Sequence, residues 1–255
     1  MDINDGSHIL HTKVLCDDVA SELGAMWDRR WKNGDSEWAT VPEERSRFLF
    51  FPAKRQPYKN VTRVSEQESK ILFTRWLECN KFRFSVETPT RKVYKQKPDA
   101  KRWTSGRTDV TVYGMGGALD RVLNIELKEG TQGGIRGRES FRKDLEQLLR
   151  EGITGLWFHT LTKKPTSWDA IDTTIYEALA ELNGKTYPID PTAPNDPVDP
   201  AYPTSDDQLT NAIEEASHTI EFVFCVLETG TIERRFIIDF ADSSDFRVLC
   251  SFRGS

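Results

Sequence analysis

The sequence predicts an α/β fold, with the α+β arrangement in which helices cover a mixed β-sheet. Two segments that alternate strictly between polar and apolar residues, 107–114 and 121–128, flank a glycine-rich turn. An amphipathic helix, a buried strand and a second amphipathic helix follow over 140–182. A β-meander followed by a helical crossover gives a sheet that contains both strand directions.

The first predicted element is a helix over 12–31. Leu15, Val19 and Leu23 recur there at helical spacing and would form one buried face. The short apolar segment 48–52 ends in a proline and indicates a strand.

A second helix is predicted over 66–80, because Ser65 is a suitable N-cap and Glu68, three residues later, is in the capping-box position. Strand-forming residues follow at 82–88 and 91–94, and Pro89 lies between the two runs. Since proline interrupts a strand ladder, the pattern predicts two separate strands.

The second half of the chain begins with a predicted helix at 140–151 that ends at Gly152. The apolar run 155–161 indicates a buried strand, and its His159 is interpreted as a core residue. A further amphipathic helix is predicted over 169–182.

Residues 185–208 contain six prolines and many Asp and Asn residues, a composition typical of a loop or linker. The segments 218–228 and 231–240 read as a β-hairpin around a Thr-Gly turn. A short last strand is expected near 246–252.

Composition limits the class of protein. The 255 residues suffice for one large domain, or one domain with a small appendage. No apolar run approaches the roughly 20 residues of a membrane span, and the first residues lack a signal-peptide pattern, so a cytoplasmic protein without a membrane partner is expected.

The net charge of −5 argues mildly against nucleic-acid binding but allows a local basic surface. The scattered cysteines favour buried thiols over a zinc site; they are Cys16, Cys79, Cys225 and Cys250.

The chemistry is predicted to lie on the two alternating segments. Asp109 and Glu126 are equidistant from the glycine-rich turn, so a hairpin around that turn would place them nearly opposite each other, with Cβ atoms about 5 Å apart. Lys128 projects from the same face as Glu126, because side chains two residues apart in a strand share a face. Two carboxylates at this separation repel unless a cation lies between them. Hard oxygen ligands suit Mg²⁺ or Mn²⁺.

This pattern, RTDVTVYG at 107–114 and NIELK at 124–128, resembles the PD-(D/E)XK nuclease superfamily. The resemblance implies a restriction-endonuclease-like αβββαβ core in which Asp109 and Glu126 bind a divalent metal and Lys128 assists attack on the phosphate. Thr108 stands where the family has a proline, at a position that varies widely.

The resemblance also implies an acidic residue on the helix before the first core strand. Glu68 is preferred, because Ile71 and Leu72 would orient its turn onto the sheet, and Glu66 is the alternative. A capping-box interaction with Ser65 would explain Glu68 without any catalytic role.

A basic, glycine-rich loop and the helix after the E-x-K strand could grip backbone phosphates, although a solvated surface explains the same residues. The family often supplies a Lys or Gln from this helix. The candidate nucleic-acid contacts are Arg136, Arg138, Arg142, Lys143 and Gln147.

The predicted organisation is an N-terminal, initially helical extension (1–64), a nuclease core (65–184), a Pro-rich linker (185–208) and a C-terminal hairpin segment (209–255). By resemblance, the chain would be a metal-dependent endonuclease acting on DNA, in restriction or phage defence, and a homodimer is plausible. Two alternatives stay open. The chain could be a non-catalytic nucleic-acid-binding or interaction module on the same fold, or a nuclease subunit controlled by a partner.

Overall fold

The computed structural model describes residues 2–4, 9–32, 66–95, 103–115, 120–130, 138–182 and 219–239. Several predictions lie outside these ranges: the strand at 48–52, the capping role of Ser65, the Pro-rich segment 185–208 and the strand near 246–252.

The described residues form four helices and eight strands. The helix bounds are close to those predicted from the sequence, whereas the two short strands before the first helix were not predicted. The helices are α1 (Thr12–Lys32), α2 (Glu66–Cys79), α3 (Arg138–Arg150) and α4 (Asp169–Leu182). The strands are β1 (Asp2–Asn4), β2 (Ile9–His11), β3 (Arg83–Lys95), β4 (Trp103–Tyr113), β5 (Arg121–Gly130), β6 (Gly155–Leu161), β7 (Thr219–Val226) and β8 (Thr231–Asp239).

In the described residues, a main sheet of six strands has the order β3-β4-β5-β6-β7-β8, and β1 and β2 form a separate antiparallel pair. Strands β3, β4 and β5 are antiparallel neighbours, whereas β6 runs parallel to both β5 and β7. The prediction of an α/β fold with a mixed sheet is therefore confirmed. In the C-terminal hairpin, β7 pairs with both β6 and β8, so the hairpin extends the main sheet beyond β6.

The prediction that Pro89 separates two strands is wrong. Residues 83–95 form the single strand β3, whose register against β4 shifts between Pro89 and Val93. Within the described part of the chain β3 has β4 as its only neighbour in the main sheet. An edge strand tolerates proline because one side of its backbone needs no ladder partner.

Helices α1 and α2 cover one face of the main sheet. Phe73 of α2 packs edge-to-face on Phe158 of β6, with ring centroids 4.9 Å apart. Both side chains are fully buried, and burial of one such side chain contributes about 1.5–3 kcal/mol. The sheet residues on this face include Val110, Val112, Leu123, Ile125, Leu127 and Leu156.

Helices α3 and α4 cover the opposite face. Phe141 of α3 packs edge-to-face on Trp157 of β6, with ring centroids 4.8 Å apart. Ile171 and Ile175 of α4 belong to the same core. Because successive residues of a strand point to opposite faces, β5 presents its even-numbered polar residues on this side. The sheet thus separates two hydrophobic cores.

Helix α1 contacts the C-terminal hairpin at two places. Gly24 lies so close to the β7–β8 turn that a Cβ atom there would come within 2.2 Å of the Cα atom of Gly230. At the start of the helix, Thr12 Oγ1 donates to Glu221 Oε2 at 2.6 Å. Glu221, which is fully buried on β7, is also ion-paired with Arg235 of β8. Polar and backbone contacts therefore join these elements.

The cysteines give a testable consequence of this packing. Cys16 and Cys225 are buried, as expected, whereas Cys79 at the end of α2 is exposed, so the expectation of a buried thiol is wrong there. Burial raises the pKa of the Cys225 thiol to about 12 and that of Cys16 well above its usual value. Because the thiolate is the reactive form, iodoacetamide should label Cys79 roughly a hundredfold faster than Cys16 and Cys225, as measured by peptide mass spectrometry. Equal labelling of Cys79 and Cys225 in folded protein would contradict the packing.

None of the helices in the described residues combines the length and the apolar character needed to cross a bilayer.

Candidate active site

The candidate site lies where β4 and β5 separate. Val110 pairs with Ile125, so the same antiparallel register places Asp109 opposite Glu126. At this point a side chain of β4 bonds to the backbone of β5: Asp109 Oδ2 accepts a hydrogen bond of 2.9 Å from the backbone N–H of Leu127. The Asp109 side chain is thereby fixed between the two strands.

Glu126 and Lys128 share the face of β5 that is covered by α3. Glu126 is buried, and its Oε2 lies 3.5 Å from the Lys128 Nζ. Asp144 of α3 also contacts this ammonium group, with an Oδ2–Nζ distance of 3.1 Å. The Lys128 Nζ lies 5.7 Å from the ring centroid of Trp157, close enough for a cation–π interaction. Three side chains, Glu126, Asp144 and Trp157, therefore interact with the ammonium group.

A second ammonium group approaches Asp109 from α2. The Lys70 Nζ lies 2.8 Å from Asp109 Oδ1 and is also ion-paired with Glu87 of β3. The Lys70 side chain is 10% exposed, so the pair with Asp109 is shielded from water. Glu87 has a φ of 50°, in the left-handed region that residues other than glycine seldom occupy.

Glu66, at the start of α2, belongs to the same group of charges. Burial raises its pKa; Lys128 opposes this shift, while Asp109 and Asp144 add to it. Glu66 and Lys70 are four residues apart and therefore share a face of the helix.

Glu68, the predicted helix ligand, and Glu66, the alternative, lie on different sides of α2. Residues two positions apart on a helix do not share a face. Glu66 shares a face of the helix with Lys70 and interacts electrostatically with Lys128, whereas Glu68 is buried, and which of the two glutamates is the helix ligand stays a prediction.

The cluster contains more acids than bases. Among the described residues, Lys128 interacts electrostatically with the carboxylates of Glu126, Asp144, Glu66 and Asp109. Only Lys70 adds a second ammonium group to these four acids in the interactions described above. Burial raises the pKa of Glu126 well above its usual value, and Asp109 and Asp144 raise it further. These carboxylates raise the pKa of Lys128 in spite of its burial, so Lys128 stays charged.

The positions of the carboxylates determine whether a divalent ion fits this site. Within the described ranges, no group of three or more His, Cys, Asp or Glu side chains converges closely enough to hold a metal ion directly. The two lysines instead bridge the carboxylates, which would otherwise repel one another. Glu126 Oε1 is buried and, in the described structure, has no hydrogen-bond partner. A buried carboxylate oxygen in this state fits a role as a cation ligand.

The predicted nucleic-acid contacts have different surroundings. Lys143 is exposed and Arg142 is half-buried. Gln147 is buried, and its side-chain amide donates a hydrogen bond of 3.0 Å to the backbone oxygen of Arg107, which ties α3 to β4. Arg138 begins α3, where only its backbone is described, and Arg136 lies outside the described residues.

Asp144 and Lys70 are two site residues that were not predicted from the sequence. A signal for each was present, because both interrupt an apolar helical stripe. Asp144 lies three residues after Phe141, and Lys70 lies three residues before Phe73. A charged residue within a buried stripe needs a partner of opposite charge, and both side chains have such partners in the candidate site.

His159 is buried on β6, and burial lowers its pKa to about 3. Its ring stacks on Phe224, with centroids 5.6 Å apart. The imidazole is therefore neutral at physiological pH, in agreement with a residue of the core.

Comparisons of the chain with models of known families, with curated proteins and with solved structures found no match.

Proposed function

We propose that this chain is a divalent-metal-dependent nuclease with a PD-(D/E)XK, restriction-endonuclease-like core. One observation carries the proposal: Asp109, Glu126 and Lys128 approach one another where β4 and β5 separate. The order α2-β3-β4-β5-α3-β6 also agrees with the αβββαβ core that the sequence resemblance implies.

Asp109 and Glu126 are the proposed metal ligands, with Glu66 as the acidic residue from the preceding helix. Their carboxylate oxygens suit Mg²⁺ or Mn²⁺. A bound ion of this kind polarises a phosphodiester and lowers the pKa of coordinated water. A divalent cation would also offset the excess of negative charge that raises the pKa of Glu126.

Lys128 is the proposed electrostatic stabiliser beside the phosphate. It stays protonated in the described arrangement, where Glu126 and Asp144 hold its ammonium group. A fixed positive charge can neutralise charge that develops on the phosphoryl oxygens and can orient the attacking water. Asp144 is a positioning residue, because it limits where that ammonium group can point.

The substrate is proposed to be DNA, with the exposed Lys143 and the half-buried Arg142 near the backbone phosphates. The predictions of a homodimer, of a restriction or phage-defence role and of a cytoplasmic location stay predictions.

Cleavage of supercoiled plasmid tests the proposal. The native chain should nick or linearise DNA with Mg²⁺ or Mn²⁺ and should be inactive in EDTA. Asp109→Ala and Lys128→Ala should each reduce the rate by roughly 10²–10³-fold, the usual cost of losing one group that stabilises charge. Lys164→Ala is the matched control, since Lys164 is exposed and pairs with Glu233 at another part of the surface. Cleavage that survives both site substitutions would refute the assignment.

A non-catalytic nucleic-acid-binding module is the second candidate. It is favoured by the fact that Lys70 and Lys128 already neutralise part of the acidic cluster. Tight DNA binding in a gel-shift assay, without cleavage by freshly purified protein in either metal, would favour this candidate.

A further inference from the structure

The position of Lys70 is not explained by the proposed catalytic residues. Its ammonium group contacts Oδ1 of Asp109, the proposed metal ligand. The other carboxylate oxygen, Oδ2, accepts the hydrogen bond from Leu127 N–H. An ammonium group there and a divalent ion bound by the same oxygen would compete, because both are cations and would be separated by only a few ångströms. Metal binding at Asp109 would therefore require Lys70 to move.

Glu87 offers Lys70 a second anionic partner. Its carboxylate already pairs with the ammonium group, and its side chain is 46% exposed, at the rim of the cluster. The Glu87 backbone has a φ of 50°, and such a conformation persists in a non-glycine residue when surrounding contacts impose it. Lys70 therefore lies between an inner carboxylate, Asp109, and an outer carboxylate, Glu87.

We propose that Lys70 is a displaceable counter-ion of the metal site: its ammonium group neutralises Asp109 until a divalent ion binds, and Glu87 then retains it. Both are positioning residues that set the affinity for the ion. This inference rests on the proposed function, because it takes Asp109 as a ligand.

Binding of Mn²⁺ to the full chain without DNA tests the inference, with isothermal titration calorimetry or electron paramagnetic resonance as the readout. Lys70→Met removes the competing cation and should lower the Mn²⁺ dissociation constant by about tenfold, the value of one charge-assisted hydrogen bond. Glu87→Gln removes the outer partner and should raise the dissociation constant by roughly threefold to tenfold.

The double variant separates displacement from a general field effect. If Glu87 acts through Lys70, Glu87→Gln should change the dissociation constant by less than about twofold in the Lys70→Met background. If each charge merely contributes to the field, the two effects should add. Additive effects, or weaker binding in Lys70→Met, would overturn the inference.

Asp109→Asn distinguishes failure of the inference from failure of the proposed function. Mn²⁺ binding that depends on Asp109 but not on Lys70 refutes only the inference. Absence of binding in both the native chain and Lys70→Met refutes both. If circular dichroism shows that Lys70→Met is unfolded, Glu87→Gln decides alone, and tighter or unchanged binding contradicts the inference.

Discussion

Replacing Glu126 with glutamine should abolish metal-dependent cleavage and yet stabilise the metal-free protein. The substitution removes one proposed ligand, so the cleavage rate should fall by roughly 10²–10³-fold or more. It also removes a carboxylate that is buried beside Asp109 and Asp144, and burial disfavours its charged form. Lys128 keeps Asp144 as a partner. In EDTA, the melting temperature should therefore rise by about 2–4 °C, which corresponds to ~1 kcal/mol.

Thermal unfolding with and without Mg²⁺ measures the predicted change in the melting temperature. A ligand that binds only the folded state raises the melting temperature, so the native chain should gain stability from Mg²⁺ and Glu126→Gln should not. Glu151→Gln is the matched control, because Glu151 is another buried acid and pairs with Arg121 instead of the site lysines. The control should cleave DNA and respond to Mg²⁺ as the native chain does. Native-like cleavage by Glu126→Gln would remove this residue from the ligand set.

Replacing Arg235 with methionine should destabilise the protein by about 3–5 kcal/mol, the cost of removing the charged partner of a buried carboxylate. Glu221 is fully buried, and Arg235 is ion-paired with its carboxylate. Arg235 Nη2 also donates to Thr12 Oγ1 at 3.1 Å, so the arginine contributes to the attachment of α1. The loss is large beside the roughly 5–15 kcal/mol that stabilises a typical native protein.

Urea unfolding of a double-mutant cycle identifies the source of this loss. Adding Glu221→Gln to Arg235→Met should recover about half of the lost stability or more, because no uncompensated carboxylate is then buried. Lys164→Met is a suitable control, since it breaks an ion pair with an exposed lysine and should cost about 1 kcal/mol or less. If the Glu221 and Arg235 effects simply add, the buried charge is not the cause.

Local patterning was sufficient to predict much of the sheet. The alternation of Val110 and Val112 with Asp109 and Thr111 indicated which side of β4 is buried, and the structure places both valines in the core under α1 and α2. Period-two alternation transfers directly to the two faces of a sheet, because neighbouring strands share the same pleat. The hairpin register followed from the sequence, because Asp109 and Glu126 are equally far along the chain from the glycine-rich turn.

The remaining features depend on how elements pack together. The choice between Glu66 and Glu68 depends on the rotation of α2 about its own axis relative to β4, which periodicity alone does not determine. The continuity of β3 through Pro89 depends on that strand being at an edge of the main sheet in the described structure. The pairing of Glu221 with Arg235 follows from strand order and register, and a hairpin pattern does not reveal that its charges are buried.

The attachment of α1 to the last hairpin affects how this protein is made. Thr12 and Glu221 are 209 residues apart in the chain, and Thr12 and Arg235 are 223 apart. At a synthesis rate of ~5–20 residues per second, a ribosome needs about 10–40 s to travel from the first residue of the Thr12–Glu221 pair to the second. During that interval the nascent helix lacks the strands that bury one side of it, so its apolar surface is available to chaperones or to neighbouring nascent chains. The complete sheet can therefore form only after β8 has been synthesised, and yield in cells should depend on chaperone capacity.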